Sequence, residues 1–335
     1  MKKWKPNYTV VTILVIATFL SLSVMWIPGW IRYISQMAIA AALASLGVMI
    51  LLRAGLLSFG QGLFYFVGAY AVALLYKHLG LTDAIALVFL GGLFAGIVAA
   101  LLGQFISSYR GIFFAMLTLA ISMVAYGIAV KLSFFGGSDG LNIGLVSILG
   151  YRPRGTELQI SIFLLCIWTS SVFGIVAHMF LRSRLGKVIE AVEDNEIRLE
   201  YLGRSVRNSV HIAYSVAGFL GGVGGALAGI SARHVDPGFA YWTTAGDFVF
   251  IVILSGQASV LSPFGGAFAL EILRTFASAL FPNEWQLVVG SIMLLIVLFL
   301  PNGLGHLVVV TGRSIKGRAP QIKNPNQAVG RTIQP

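Results

Sequence analysis

Polar residues fall in short clusters along this chain. Between them run stretches of roughly 18 to 25 apolar residues, the length that crosses a bilayer as helix. Segments near 8–28, 33–52, 56–77, 84–108, 111–131, 158–181, 209–231, 246–262, 264–281 and 286–310 fit that description. Their apolar residues are continuous rather than alternating, which argues against membrane β-strands. The two segments around 246–281 are short and interrupted by glycine. One of them can be re-entrant if protein shields its irregular backbone, which would reduce the count from ten spans to eight or nine.

Composition agrees with the pattern. Charged residues make up 10% of the chain and hydrophobic residues 57%, with a mean hydropathy of +0.88, whereas ordinary soluble domains are roughly a quarter charged. The fold class expected is therefore an all-α polytopic membrane protein, a bundle of about ten helices. The basic head of MKKWKPNYTVVTILVIATFLSLSVMWIPGW precedes a long apolar run without a clear small-residue cleavage site, so it reads as an uncleaved first span. The single cysteine, Cys166, lies in an apolar run and excludes an intramolecular disulfide.

The net charge of +11 is read as topology rather than as a nucleic-acid footprint. With the N-terminus inside, ten spans place sixteen Lys and Arg residues on the inner side and six on the outer side, among the latter Arg32 and Arg233. This bias predicts a cytoplasmic-membrane protein with both termini cytoplasmic. The permease domain expected is 1–311, with an outer loop at 132–157 and an inner loop at 182–208. The Pro-, Gln-, Asn- and Lys-rich tail, 312–335, reads as a disordered basic cytoplasmic segment.

Catalysis finds little support. The chain has no GxxxxGK[ST] phosphate loop, no HExxH and no paired cysteines, and its five histidines are scattered. Any uphill work must draw on an ion gradient or on a separate ATPase. Intramembrane charge is confined to Asp247, Glu271 and Arg274. The i, i+3 spacing of the last two favours a pair that neutralises itself against a neighbouring helix over one that moves an ion. GFLGGVGGALAG, Gly218–Gly229, carries overlapping GxxxG patterns, which let helix backbones approach closely.

One segment departs from its surroundings. SRLGKVIEAVEDNEIRLEYLGRS gathers five of the twelve acidic residues, Glu190, Glu193, Asp194, Glu196 and Glu200. Val188, Ile189, Ala191, Val192, Leu199 and Leu202 trace one helical face, and Gly203 suits a left-handed cap. The expectation is one amphipathic helix of about four turns over 187–202. An acidic helix is repelled by anionic lipid, so its apolar stripe reads as a plug for a groove on a protein.

Four stretches in order resemble the high-affinity branched-chain amino-acid ABC permeases of the M type. They are LLSFGQGLFYFVGAY (Leu56–Tyr70), GGSDGL (Gly136–Leu141), the acidic inner segment, and FLPNGLGHL (Phe299–Leu307), with agreement over roughly 35–310. The resemblance implies a permease that pairs with a second, homologous permease. Two cytosolic ATPase subunits would drive it, with ATP and magnesium bound there and no cofactor in this chain. A periplasmic or lipid-anchored solute-binding protein would feed it. Membrane lipid is the remaining partner, and nucleic acid is not one. The inner segment then corresponds to the coupling helix, with Arg184, Gly186, Ala191, Asn195, Glu196, Ile197, Glu200, Leu202 and Gly203 matching the family pattern. Gly136, Gly137, Ser138, Asp139 and Gly140 match its outer-loop signature. From the residues alone, GGSDG is a turn in which glycines take positive φ and Asp139 caps backbone N–H groups.

The chain departs from the family at Gln61, at Ser255, Gln257, Ala258 and Ser262, and at Arg198, Leu199 and Tyr201. The candidates for a translocation path are Ser58, Gln61, Gln257, Glu271 and Arg274. The departures at Gln61 and at 255–262 leave open branched-chain amino acids, other amino acids, or urea and short amides as the solute, and those at Arg198, Leu199 and Tyr201 suggest an ATPase groove of altered shape. A stand-alone ion-coupled carrier resting on Asp247, Glu271 and Arg274 is the competing class.

Overall fold

The structure, a computed structural model, describes residues 8–299. Each of the ten apolar segments has a helical counterpart: α1 (Tyr8–Ser23), α2 (Gly29–Leu52), α3 (Gln61–Leu79), α4 (Ala84–Ile106), α5 (Gly111–Lys131), α6 (Thr156–Arg182), and, after two short helices α7 (Arg184–Asp194) and α8 (Glu196–Tyr201), α9 (Val206–Ala232), α10 (Trp242–Ser255), α11 (Ser262–Leu280) and α12 (Trp285–Phe299). Six of them, α2, α3, α4, α5, α6 and α9, are long and apolar enough to cross a bilayer. The tail, and the closing motif beyond Phe299, lie outside the described residues.

The core forms around α9, which packs against α2, α3 and α4. Its glycines make this possible, each toward a different neighbour. A Cβ at Gly224 would strike the backbone of Ala40 in α2, one at Gly225 the Tyr65 carbonyl in α3, and one at Gly222 the Ala95 side chain in α4. The GFLGGVGGALAG run is thus a three-sided packing surface, in which van der Waals contact replaces the hydrophobic drive that lipid removes. Around this centre α6, α10 and α11 pack on α2, α1 packs on α6 and α12 on α11. Large apolar side chains of α4 and α5, such as Phe89, Phe105, Ile112 and Phe113, point outward, as a lipid-facing wall requires.

Two connections enter the bundle instead of skirting it. α2 ends at Leu52, yet Gln61, the first residue of α3, donates from Nε2 to the carbonyl of Ala217 at 2.8 Å. Ala217 is the twelfth residue of α9 and lies about 17 Å along that helix at 1.5 Å per residue. Residues 54–60 therefore climb into the interior as irregular chain, and α3 starts there rather than at 56. The second is 236–241: the Ser122 hydroxyl, midway along α5, donates to the Ala240 carbonyl at 2.8 Å. α10 begins immediately afterwards. The irregular backbone expected within 246–281 is thus located in these two connections, and 256–261 is a turn between α10 and α11.

At the end opposite α7 and α8, strand β1 (Leu141–Asn142) pairs antiparallel with β2 (His234–Val235), pinning the long loop to the α9–α10 connection. Gly225→Ala should lower the unfolding temperature of the detergent-solubilised protein, because the added methyl meets backbone, an overpacking cost of about 1–3 kcal/mol. Gly174→Ala, where a Cβ meets nothing within 4 Å, should leave it unchanged or raise it.

Candidate functional site: interrupted helices and a clamped amphipathic segment

Within the bundle, the start of α3 meets the start of α10. A Cβ on Gly62 would lie 3.1 Å from the Phe239 carbonyl and 3.5 Å from the Ala245 nitrogen. The irregular residues before each helix find partners, as buried backbone must. Phe59 N donates to Thr118 Oγ1 at 3.2 Å, and Gly60 N donates to Ser58 Oγ at 3.2 Å. Ser58 and Gln61 are fully buried. Gln61 Oε1 is the exception, with no partner among the described residues. Thr118 and Ser122 were not singled out in the sequence; their polar spacing of four within an apolar run is the signal that marks them.

Arg274 of α11 lies beside this centre. It pairs with Asp247 of α10, approaches Glu271 at 3.6 Å, and sits over the Trp285 ring at 6.0 Å. The cluster is held by three helices and carries one net negative charge. Its side chains are 18–32% exposed. At this position charge facing lipid would be costly, which argues that this face meets protein or water. Gln257 does not join the group. It is exposed at the α7–α8 end, where its backbone carbonyl accepts from Arg53 Nη2 at 2.7 Å. The candidate path residues thus divide: Ser58 and Gln61 at the helix break, Glu271 and Arg274 in the charged cluster, and Gln257 apart.

The acidic segment forms two helices rather than one of four turns. Asn195 is extended (φ −168°, ψ 103°) and breaks the run, accepting from Arg198 N at 2.9 Å as the N-cap of α8. Asn followed by Glu is a capping signal that the apolar periodicity concealed. The apolar stripe also faces differently from expectation. Ile189, Val192 and Leu199 are buried, with Val188 and Ala191 half-buried against the bundle. Gly186 is tight against the Leu181 carbonyl, while Arg184 and Glu200 are exposed. Leu202 belongs to the outward group with Ile197 and Tyr201, exposed by 73%, 68% and 88%. Gly203 has the expected positive φ, +76°. Two arginines clamp the segment: Arg110 Nε to Glu196 Oε1 at 2.6 Å, and Arg53 Nη1 to Glu190 Oε1 at 3.4 Å.

In GGSDG, Gly136, Gly137 and Gly140 take φ of +83°, +62° and +70°. Asp139 is exposed and accepts only from Ser138 Oγ, at 3.2 Å, among the described hydrogen bonds. It caps no backbone N–H there, because the loop is held instead by Gly140 pressed against Val235 and by the β1–β2 pair that follows.

The family model described as branched-chain amino acid transport system / permease component matches residues 30–298. The chain belongs to this permease family. The high-affinity branched-chain amino acid transport system permease protein LivM of Escherichia coli (strain K12) is 27% identical over 279 residues, covering 75% of this chain and 64% of the relative. The chain thus spans slightly less than two thirds of that protein. LivM of Salmonella typhimurium is 26% identical over 301 residues, 81% of this chain and 69% of the relative. BraD of Pseudomonas aeruginosa is 25% identical over 148 residues, 44% and 47%. No solved structure matches. All three relatives are permease proteins by name rather than enzymes.

The permease's charged cluster makes a stability prediction. Arg274→Leu leaves two carboxylates without their cation and should cost about 2–4 kcal/mol, read as a lower unfolding temperature in detergent. The combined Asp247→Asn, Glu271→Gln, Arg274→Leu protein should recover most of that loss.

Proposed function

We propose that this chain is the membrane permease subunit of an ABC importer for branched-chain amino acids or related small solutes. It acts with a second homologous permease, two cytosolic ATPase subunits that bind ATP and magnesium, and a solute-binding protein on the opposite side. The membrane is the cytoplasmic membrane, and the α7–α8 end faces the cytosol, as the distribution of Lys and Arg favours. The solute class rests on family membership and on the relatives' names.

The observation that carries this reading is the outward patch on α8. Ile197, Tyr201 and Leu202 stand exposed on a short helix whose other face is anchored in the bundle and whose position Arg110 and Arg53 fix. An apolar patch ringed by Glu193, Asp194 and Glu200 suits a groove on a protein better than anionic lipid. Movement of a docked ATPase would reach the interior through the same clamp. Arg53 joins α7 to the α10–α11 turn, and α10 ends at that turn after starting at the helix break. Interrupted helices that meet inside a bundle are where transporters place solute sites, which supports Gln61 as a path residue.

A stand-alone ion-coupled carrier draws on the Asp247–Arg274–Glu271 cluster. The direct pairing of Arg274 with Asp247 and its nearness to Glu271 favour a structural bridge over an ion site. The test is co-expression with the ATPase subunits. Ile197→Asp combined with Tyr201→Asp should reduce ATPase co-purification at least about tenfold, since desolvated apolar anchors dominate such interfaces, while membrane insertion is unchanged. Undiminished ATPase recovery would remove α8 as the docking element. Solute uptake by the purified chain alone in liposomes without ATP would favour the carrier.

A further inference from the structure

A cavity of about 550 Å³ lies between α2, α6 and α9 at the end opposite α7 and α8. Neither the helix break nor the ATPase-facing patch uses it. Its polar walls include Arg32, Tyr33, Gln36, Gln159 and Arg233, and none of its lining residues is Asp or Glu. Arg32 was expected in an outer loop. It lies instead in the first turn of α2, 8% exposed, and its Nε has no hydrogen-bond partner among the described residues. It takes part in none of the described ion pairs.

A buried guanidinium without a counter-charge is costly, and the surroundings increase the imbalance. α2 and α6 both begin at this cavity, and neither N-terminus has a side-chain cap. The positive ends of both helix dipoles therefore add to the charge of Arg32. Arg233, exposed at the rim, holds the left-handed cap of α9 at φ +56°. Glu157 in the first turn of α6 does not line the cavity, and it accepts from the Tyr151 hydroxyl at 2.9 Å. Gln36 Nε2 donates to the backbone carbonyl of Gln159 at 3.2 Å, and no described hydrogen bond joins Arg32 to either glutamine.

We propose that this cavity binds an oxyanion, a carboxylate or phosphate group, with Arg32 as its principal ligand and Arg233 as a second cation at the rim. A planar guanidinium takes such a group through paired hydrogen bonds, and uncapped helix N-termini favour the same charge. The shared chemistry has two sources: the carboxylate or phosphate of a free small solute, or the headgroup phosphate of a lipid in the adjacent leaflet. The proposal does not depend on which solute the permease carries.

The test uses the full-length chain, delipidated in a neutral detergent, with thermal unfolding as the readout. One arm titrates sodium phosphate and sodium acetate at constant ionic strength. The other titrates dioctanoyl phosphatidylglycerol, with phosphate-free dioctanoylglycerol as control. The expected result is a rise in unfolding temperature that saturates, with affinity reduced at least about tenfold in Arg32→Gln and less in Arg233→Gln. A response to the soluble ions assigns a free solute, and a response to the phosphatidylglycerol alone assigns a headgroup. Without ligand, Arg32→Gln should be at least as stable as the wild type, because an unpaired buried cation is removed. If that variant does not fold, Arg32→Lys carries the comparison, since it keeps the charge and loses the paired geometry. No shift with any probe, or a shift that survives substitution of Arg32, overturns the proposal.

Discussion

At the centre of the permease the backbone of α9 comes so close to α2, α3 and α4 that a methyl group added at Gly222, Gly224 or Gly225 would strike a neighbour. The irregular chain at 54–60 and 236–241 depends on this close approach. A bilayer offers no partner to free N–H and C=O groups, so interrupted helices survive only where protein supplies one. Here Thr118 and Ser122 of α5 supply those partners, and the Ala217 carbonyl of α9 accepts from the Gln61 side chain. The glycine face of α9 sets Ala217 beside the start of α3, where Gln61 reaches it.

The same economy of polar groups organises the rest. Charge within the bundle appears where it is bridged, as with Arg274 between Asp247 and Glu271. At the α7–α8 end, charge fixes position: Arg53 and Arg110 hold two short helices, the second of which turns Ile197 and Tyr201 outward. Arg32 stands against this pattern, since it is buried without a partner, and that imbalance is the physical basis of the oxyanion cavity.

The positions of the helices were largely legible, and the positions of the breaks were not. Leu56, Leu57 and Phe59 extend the apolar character of α3 past the polar Ser58 and Gln61, so hydropathy starts that span at 56 where the structure starts the helix at 61. The acidic segment was legible as an amphipathic surface element. Its capping residue Asn195 was masked by an apolar spacing that continues across the break, and two helices replace one. Its stripe was assigned to a partner groove, but Ile189, Val192 and Leu199 turn inward because the bundle itself is the nearest apolar surface. Gln257 and Gln61 look alike in sequence as polar residues in apolar surroundings. One is exposed at a turn and the other is fully buried, a difference that only the packing creates.

By itself, the sequence determined that lipid is the solvent for most of this chain, roughly where its apolar segments lie, and which family the motifs resemble. These properties are local: hydropathy, length and short motifs are read residue by residue. Only the tertiary structure decided which faces meet. It brought the start of α3 to the start of α10, gave Arg274 its partner Asp247 on another helix, turned Ile197, Tyr201 and Leu202 outward, and left Arg32 at an uncapped junction of two helices. Those outcomes depend on contacts between residues far apart in the chain, and hydropathy carries no record of them because every apolar helix face can bury itself against many others.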